Sequence, residues 1–592
     1  MYTTLSLINK RRTLHLKRDD QNVLYENGVA TRSWNSTDLA PISTCHKVKA
    51  SSDVYFDCIQ MYTMRAGLKF CNLDHLPAIK KPLQHRIKNA AYSIEACRVE
   101  DNSDSFEHAR PFEDIPGPKP IWILGNSFRF LPLIGEYGDK TGTERLQMLR
   151  EHFGDIVKME GLPNKRKSVF LFSPTLIEKM YRTEGTWPMR IAMESLHYYR
   201  LNRDWIYHGK YGLTTSQGKD WHDFRTKVNK HMIQPRAINP HVQQIDEIAA
   251  EFVEKIRDEL RDPSTLELPA SFNNEMNKWA LESIGAIAVN HRLGCLKSDL
   301  AEGSEPQKMI NCIHEMFSLM FKLELMPSLW RLYQTRSLKR FFYILDTINE
   351  IAIKYIHQAK ERMHNKTESN SHEKSVLEKL LAIDEQTAYV MALDMFTAGV
   401  DTTSNACGSM LYHLSVNPRV QEKLHEEAKA VLPEKGSPIT LETLKNVPYL
   451  KACLKESHRL SPISIGTLRT AQSDIVLAGY KIPKGSDLIA GHALLSIDPT
   501  EFERPNEFIP ERWIRNGSEF LSAKNAHPFS YMPFGFGART CIGKRFAELE
   551  IEVLVLKLIR NFRLEWHHQP MKWDSYLINT IASPLKFKLI DL

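Results

Sequence analysis

The spacing of apolar residues predicts helices along most of the chain after about residue 140. Apolar positions recur with a helical period between residues 239 and 365, and a stretch at about 375–415 predicts a long apolar helix with a turn near Asp384. Further helices are predicted at 143–153, 173–181, 218–233, 447–460 and 544–562, with another beginning at Pro418. Short β-like runs lie at 168–172, 475–478, 480–482 and 488–490, and a final hairpin is predicted at 576–585. The pattern therefore predicts a mostly α fold with a small β part.

The first 108 residues are polar and weakly periodic, which is typical of a disordered extension. A proline-rich stretch at 111–120 favours an extended chain and marks the start of the folded part, so we expect one domain at 109–592. Residues 1–18 contain five basic residues and no acidic one, which is typical of a mitochondrial transit peptide. The alternative is a disordered basic tail. The N-terminus has no apolar stretch near the ~20 residues that span a bilayer.

The composition, net charge and cysteine spacing of the chain exclude several classes of protein. Hydrophobic residues make up 42% of the chain and charged residues 25%, as in ordinary globular proteins. The net charge of 78 − 71 = +7 is too small to indicate a nucleic-acid-binding protein. Nine cysteines, scattered and without a Cys-x-x-Cys pair, argue against a disulfide framework and against a zinc site. These numbers favour a protein of a reducing compartment.

The most informative stretch is 534–543, which reads Phe-Gly-Phe-Gly-Ala-Arg-Thr-Cys-Ile-Gly and precedes a predicted helix. Gly537 and Gly543 are expected to permit left-handed turns that aim backbone N–H groups at the sulfur of Cys541. The N-terminus of the following helix favours an ionised thiolate. Such a thiolate can ligate haem iron, and Arg539 can pair with a haem propionate. The alternative is an inert buried cysteine beside a glycine-rich turn.

This Phe-x-x-Gly-x-Arg-x-Cys-x-Gly pattern resembles the haem-binding loop of the cytochrome P450 family. The resemblance covers about residues 111–592. The sequence around Ile115-Pro-Gly-Pro-Lys and after Gly543 most resembles the insect mitochondrial branch. It implies the cytochrome P450 fold and one haem b, which is iron protoporphyrin IX. It also implies that Cys541 is the metal ligand and that Phe534 lies against the ring.

Three other residues, in two separate segments, resemble the family's propionate contacts. Trp221 and Arg225 lie four residues apart and therefore on one helical face. They resemble an indole and a guanidinium that contact a propionate, and Arg469, after Ser461-Pro-Ile-Ser, resembles another such arginine. The alternative for the first pair is a tryptophan that packs on an arginine stem in the core.

The long apolar helix contains Ala398-Gly-Val-Asp-Thr-Thr, which resembles the family's oxygen-activation motif. A glycine such as Gly399 costs ~1 kcal/mol relative to alanine inside a helix, and a groove for dioxygen would offset that cost. Asp401 and Thr402 are then the expected catalytic residues, which relay protons through water. The alternative is a threonine that bonds its own helix carbonyl beside a surface aspartate.

A charge cluster and a basic surface are predicted around residues 447–460. Glu456 and Arg459 share one helical face, and the resemblance implies that Arg512 joins them in a buried structural cluster. Lys451 and Lys455 share another face, which resembles the docking site for an acidic, adrenodoxin-type ferredoxin. The alternatives are an ordinary solvated lysine pair and, as electron donor, a diflavin reductase.

These features predict a haem-thiolate monooxygenase that inserts one oxygen atom of O₂ into a lipophilic substrate, a steroid or a xenobiotic. Electrons would come from a mitochondrial ferredoxin, and the enzyme would associate peripherally with the matrix side of the inner membrane. No nucleic-acid partner is expected. One alternative is a haem-thiolate isomerase or dehydratase that acts on a peroxide. The other is a haem- or ligand-binding protein without turnover.

Overall fold

The structure is a computed structural model that describes residues 24–26, 29–31, 106–121, 124–131, 133–161, 166–298, 300–326, 328–365, 374–514 and 521–592. The chain divides into two compact units, Met1–Gln84 and His85–Leu592. In the first, the described residues form an antiparallel strand pair, β1 (Leu24–Glu26) and β2 (Val29–Thr31). The predicted leader at 1–18 and most of the predicted extension lie outside the described residues.

The second unit is mostly helical, as predicted. Its α-helices are α1 (Gly142–Phe153), α2 (Pro174–Arg182), α3 (Glu194–Leu201), α4 (Asp204–Tyr207), α5 (Gly212–Thr215), α6 (Gly218–Met232), α7 (Val242–Lys255), α8 (Phe272–Val289), α9 (Glu305–Glu324), α10 (Arg336–Asn365), α11 (Val376–Leu381), α12 (Glu385–Ser415), α13 (Pro418–Val431), α14 (Leu441–Lys445), α15 (Pro448–Leu460), α16 (His492–Leu495) and α17 (Lys544–Asn561). Within the described ranges, none of these helices has the length and apolar character needed to cross a bilayer.

The β part is small and divided among several sheets. Its strands are β3 (Ile156–Met159), β4 (Ser168–Leu171), β5 (Thr467–Thr470), β6 (Ile475–Leu477), β7 (Tyr480–Ile482), β8 (Asp487–Ala490), β9 (Phe562–Glu565), β10 (Trp573–Ser575), β11 (Asn579–Ile581) and β12 (Lys588–Asp591). One sheet has four strands in the order β3-β4-β8-β5, in which only β4 and β8 run parallel. The pairs β6-β7, β9-β12 and β10-β11 are antiparallel.

Local capping explains where the long helices begin. The apolar stretch from 375 to 415 divides at Asp384, as predicted, because the Asp384 side chain accepts a hydrogen bond from the Thr387 N–H and starts α12. Pro418 and Pro448 occupy the first positions of α13 and α15, where a missing N–H costs nothing. Capping residues therefore make these boundaries readable from sequence.

The final hairpin lies earlier than predicted. Its strands are β10 (Trp573–Ser575) and β11 (Asn579–Ile581), whereas the sequence predicted the hairpin at 576–585. Tertiary contacts set the observed position, because Asn579 donates from its backbone N–H to the Ile463 carbonyl at 2.8 Å and from its side chain to the Pro462 carbonyl at 2.8 Å. These bonds hold the hairpin beside the segment that enters β5.

Helix α12 lies in the centre of the hydrophobic core. Helix α8 packs along it, while α15 and α17 contact it from other directions. Val390, Met391, Phe396 and Ala406 point in different directions around the helix axis and are all buried, so α12 contributes apolar side chains around most of its circumference. This arrangement fixes α12 opposite the loop that precedes α17, where the cysteine lies.

Candidate functional site

A cavity of about 410 Å³ lies among α6, α12, β5 and the loop before α17. Seven of the eight predicted site residues line it: Trp221, Arg225, Thr402, Arg469, Phe534, Arg539 and Cys541. The eighth, Asp401, does not. The fold therefore brings together residues that lie more than 300 positions apart in the chain.

The cysteine loop is held by backbone bonds and left-handed glycines. The Cys541 N–H donates to the Phe534 carbonyl at 2.9 Å, which closes the loop. Gly535 and Gly537 have φ of 71° and 74°, conformations that disfavour any residue with a Cβ. The expected left-handed turn is thus correct at Gly537 but wrong at Gly543, whose φ of −82° is helical because it precedes the first turn of α17.

The Cys541 side chain is exposed to this cavity rather than packed against the core. Burial of the site raises the pKa of the thiol, while the N–H groups of Gly543 and Lys544 and the charge of Arg225 act in the opposite direction. The N–H groups belong to the start of α17, so the helix terminus faces the sulfur as expected. An accessible thiol with these donors is suited to bind a metal as the thiolate.

Arg539, Trp221 and Arg225 form one cluster. The Arg539 guanidinium lies 4.2 Å from the centre of the Trp221 ring and donates to the carbonyls of Pro188 at 2.7 Å and Ser216 at 3.1 Å. Arg225 donates to the Thr540 carbonyl at 2.8 Å and thereby ties α6 to the cysteine loop. The tryptophan does pack against an arginine, as the alternative for this pair suggested, but the partner is Arg539.

A second group of cations comes from Arg469 and Arg190. Arg469 forms an ion pair with Glu184 and donates to the Phe536 carbonyl at 3.2 Å. Arg190, which the sequence analysis did not identify, also lines the cavity. It lies between α2 and α3, outside any motif, so no local signal pointed to it.

The positive charge of the cavity exceeds the negative charge that the described residues place beside it. Burial, reinforced by Arg190 and Arg469, lowers the pKa of Arg539 to about 8, and burial also lowers the pKa of Arg225 to about 10. The Arg539 Nη1 and Arg225 Nε atoms are buried without a hydrogen-bond partner. Buried donors of this kind are costly unless a ligand satisfies them.

The residues present fit a haem. Four arginines line the cavity, and Glu184 pairs with one of them, which leaves 4 − 1 = 3 positive charges. Two acidic residues also line it, but Asp394 pairs with Arg200, and burial raises the pKa of Glu550 well above its ordinary value and so favours its neutral form. Two propionates and a Cys541 thiolate supply 2 + 1 = 3 negative charges. Orphaned guanidinium nitrogens suit carboxylate oxygens because such charge-assisted bonds are strong and directional.

On α12, the motif residues separate into two directions. Thr402 lines the cavity, and its hydroxyl donates to the Ala398 carbonyl at 2.7 Å, as the alternative for this motif predicted. Asp401 is not a surface residue, however, because it is only 1% exposed and both of its carboxylate oxygens lack a hydrogen-bond partner. Its nearest cation is His314 of α9, with 3.5 Å between Nδ1 and Oδ2.

Gly399 has a packing role that the sequence analysis did not anticipate. A Cβ at this position would lie 2.9 Å from Cγ1 of Ile284 on α8, although the glycine also lines the cavity. The close approach of α8 to α12 therefore accounts for a glycine here at least as well as a dioxygen groove does.

The predicted charge cluster beneath the site is present. Glu456 accepts bonds from Arg459 Nη2 at 2.8 Å and Arg512 Nε at 2.9 Å, and all three side chains are fully buried. Trp513, which the sequence analysis did not include, donates its Nε1–H to Glu456 at 2.8 Å. The cluster joins α15 to the segment that leads to the cysteine loop.

The predicted basic face is less uniform than its sequence indicates. Lys455 is exposed, but Lys451 is half-buried and donates to the Leu444 carbonyl. Lys544 and Arg545 lie 3.8 and 3.9 Å from Glu548, which partly offsets their charge. Lys455 is consequently the member of the pair whose charge is most available to a partner.

Comparison with known proteins agrees with this site. The family model described as Cytochrome P450 matches residues 115–589. Probable cytochrome P450 12a5, mitochondrial, from Drosophila melanogaster is 39% identical over 83% of this chain and 93% of its own length. Cytochrome P450 CYP12A2 from Musca domestica is 38% identical over 88% of this chain and 97% of its own. Cytochrome P450 12b1, mitochondrial, from Drosophila acanthoptera is 38% identical over 82% of this chain and 90% of its own length. The chain belongs to the cytochrome P450 family of haem-thiolate oxidoreductases.

Proposed function

We propose that this protein is a haem b monooxygenase that inserts one oxygen atom of O₂ into a lipophilic substrate. The observation that carries the proposal is a cavity in which an accessible Cys541 faces unpaired, buried guanidinium nitrogens. Haem bound there supplies the iron at which O₂ is activated, and thiolate ligation favours O–O cleavage.

Each lining residue has a role in this proposal. Cys541 holds the metal as its thiolate, and Phe534 lies against the ring. Arg225 and Arg539 would bind the propionates through their unpaired nitrogens, and Trp221 keeps the Arg539 guanidinium in place by stacking. Arg469 is already paired with Glu184, so it would attract the propionates more weakly than Arg225 and Arg539 do.

Two residues of α12 serve as the proton path. Thr402 presents its hydroxyl at the cavity wall, and Asp401 supplies a buried carboxyl one position earlier. A carboxyl and a hydroxyl on adjacent residues can pass protons by side-chain rotation or through water. Their roles rest on this placement and on the motif.

Apolar lining supports a lipophilic substrate such as a steroid or a xenobiotic. Aliphatic and thioether side chains dominate the wall beside α12: Leu213, Ile284, Met391, Met395, Ile463 and Ile578. Such a wall binds by burial of apolar area rather than by charge. Ile578 lies in the turn between β10 and β11, so the hairpin contributes a side chain to this wall.

Relatives named mitochondrial support a mitochondrial location, with electrons from an adrenodoxin-type ferredoxin that docks near Lys455 and Lys451. Exposed apolar side chains support peripheral association with the matrix side of the inner membrane: Leu133, Ile134, Leu329, Leu332 and Tyr333. In this proposal residues 1–108 are the transit peptide and extension, and 109–592 the catalytic domain.

The decisive experiment compares Cys541→Ala with Cys312→Ala in protein produced with a haem precursor. Cys312 is a cysteine of α9 that does not line the cavity, so its variant controls for the loss of a thiol. Wild type and Cys312→Ala should show the carbon-monoxide-bound Soret band of a reduced thiolate-ligated haem, and Cys541→Ala should not. A wild-type protein without porphyrin, or a Cys541→Ala protein that keeps this band, would contradict the proposal.

Turnover separates the alternatives within this fold. A monooxygenase should consume NADPH through ferredoxin and its reductase in proportion to product. An isomerase or dehydratase would convert a peroxide without NADPH, and a binding protein would form no product in either assay.

A further inference from the structure

A single histidine lies against the buried carboxylate of Asp401. The His314 side chain of α9 is 62% exposed, whereas that of Asp401 on α12 is 1% exposed, yet 3.5 Å separates Nδ1 from Oδ2. Among the described residues, no other cation lies within ion-pair distance of Asp401. A buried carboxylate whose one cationic neighbour reaches solvent has a defined route for exchange of protons.

The groups around His314 make it suited to this exchange. The contact with Asp401 raises the pKa of His314 above its ordinary value; burial lowers that pKa, and the charge of Asp574 on β10 adds to the upward shift. On the other elements packed against α9, Arg340 of α10 pairs with Glu315 and Lys354 of α10 pairs with Glu305. Imidazole is a side chain that both binds and releases protons near neutral pH.

We propose that His314 is the residue through which protons from solvent reach Asp401, a positioning residue for the proton path, and this inference rests on the proposed function. The Nδ1–H bond of an imidazolium breaks as an O–H bond forms at Asp401 Oδ2. The neutral imidazole that remains carries its proton on Nε2, so its free nitrogen is Nδ1. The 62% exposed ring turns toward solvent, takes a proton from hydronium at Nδ1 and returns to Asp401. Rotation of the Asp401 carboxyl carries the proton toward Thr402, whose hydroxyl lines the cavity.

The pair itself is tested without turnover, by NMR titration of histidine-labelled protein. His314 is assigned from the signal lost in His314→Gln. We expect the pKa of His314 to fall in Asp401→Asn, because the neighbouring negative charge is gone. An unchanged pKa in Asp401→Asn would overturn the inference. This result stands whether or not the protein turns over substrate.

The proton path is tested by NADPH oxidation with ferredoxin and its reductase in H₂O and D₂O, in the holoenzyme without added substrate. We expect His314→Ala to oxidise NADPH several-fold more slowly, with a larger solvent isotope effect. Reduction of the haem under carbon monoxide should keep its wild-type rate, because electron delivery is untouched. His152→Ala, at an exposed histidine of α1, should behave as wild type in both assays.

His314→Arg separates proton transfer from simple charge. Arginine keeps a cation beside Asp401 but does not release a proton at neutral pH, so this variant should be as slow as His314→Ala. A wild-type rate in His314→Arg, or in His314→Ala, would overturn the proposal. If wild-type protein shows no carbon-monoxide Soret band, the proposed monooxygenase function is contradicted. The NMR titration still tests whether His314 interacts with Asp401.

Discussion

The strongest test of the fold beneath the site is Glu456→Gln. The substitution keeps the size and shape of the side chain but removes its charge and replaces one oxygen by an NH₂ donor. Glu456 is 0% exposed, so neither water nor an ion from solvent can replace what is lost. The change therefore isolates electrostatics from packing.

The magnitude follows from the bonds that converge on this carboxylate. Arg459 donates from Nε at 2.9 Å and Nη2 at 2.8 Å, and Arg512 from Nε at 2.9 Å. Trp513 Nε1–H and the Ile509 N–H add bonds of 2.8 and 3.0 Å. Loss of the only carboxylate in this cluster leaves two buried guanidiniums unpaired, for which we expect a cost of about 3–5 kcal/mol.

The assay is urea unfolding followed by far-ultraviolet circular dichroism, with retention of haem as a second readout. Glu442→Gln is the matched control, because Glu442 also pairs with a cation three residues later, Lys445 at 3.0 Å, but both side chains are 71% exposed. An exposed pair of this kind contributes little, so its midpoint should stay near wild type. Equal midpoints for Glu456→Gln and Glu442→Gln would show that the two buried guanidiniums do not need the Glu456 carboxylate.

The remaining predictions concern packing, pH and docking. Gly399→Val should destabilise the protein by about 1–3 kcal/mol in thermal unfolding, because the new Cβ would lie 2.9 Å from Ile284 Cγ1 on α8. Gly436→Val is the control and should not destabilise the protein, because no atom lies within 4 Å of a Cβ at that position. Burial raises the pKa of Glu552 to about 7, so the folded state holds this proton more tightly and stability falls as pH rises from about 5 to 8. Glu552→Gln should therefore gain up to about 3 kcal/mol over wild type at pH 8 but little at pH 5; a gain that does not grow with pH would contradict this. Lys455→Glu should slow reduction by ferredoxin at low salt more than Lys445→Glu does, and an equal effect of the two would contradict the proposed docking face.

The parts of the site that could be predicted are those whose chemistry lies within a few consecutive residues. The loop before Cys541 needs a glycine at position 537, and a helix start follows within three residues, so its sequence carries its conformation. The same holds for Asp384 and Pro448, where a single capping residue fixes a helix boundary. Local backbone requirements are visible in local sequence.

What could not be predicted depends on contacts between distant segments. Arg190 reaches the cavity because the chain between α2 and α3 folds over the cysteine loop, and no spacing in the sequence encodes that approach. Asp401 and Thr402 are adjacent, yet only the second lines the cavity, because successive residues of a helix point about 100° apart. His314 is an isolated histidine whose significance depends on α9 lying across α12.

The arginine cluster links folding to cofactor binding. In the protein alone, Arg225 and Arg539 each keep one buried nitrogen unpaired, and burial lowers the pKa of both guanidiniums. Unpaired buried charge destabilises a fold, so these residues oppose folding unless anionic groups join them. A ligand that binds only the folded state stabilises it by mass action. The same excess positive charge that supports the proposed haem site therefore predicts that haem uptake and stable folding of the cavity are coupled.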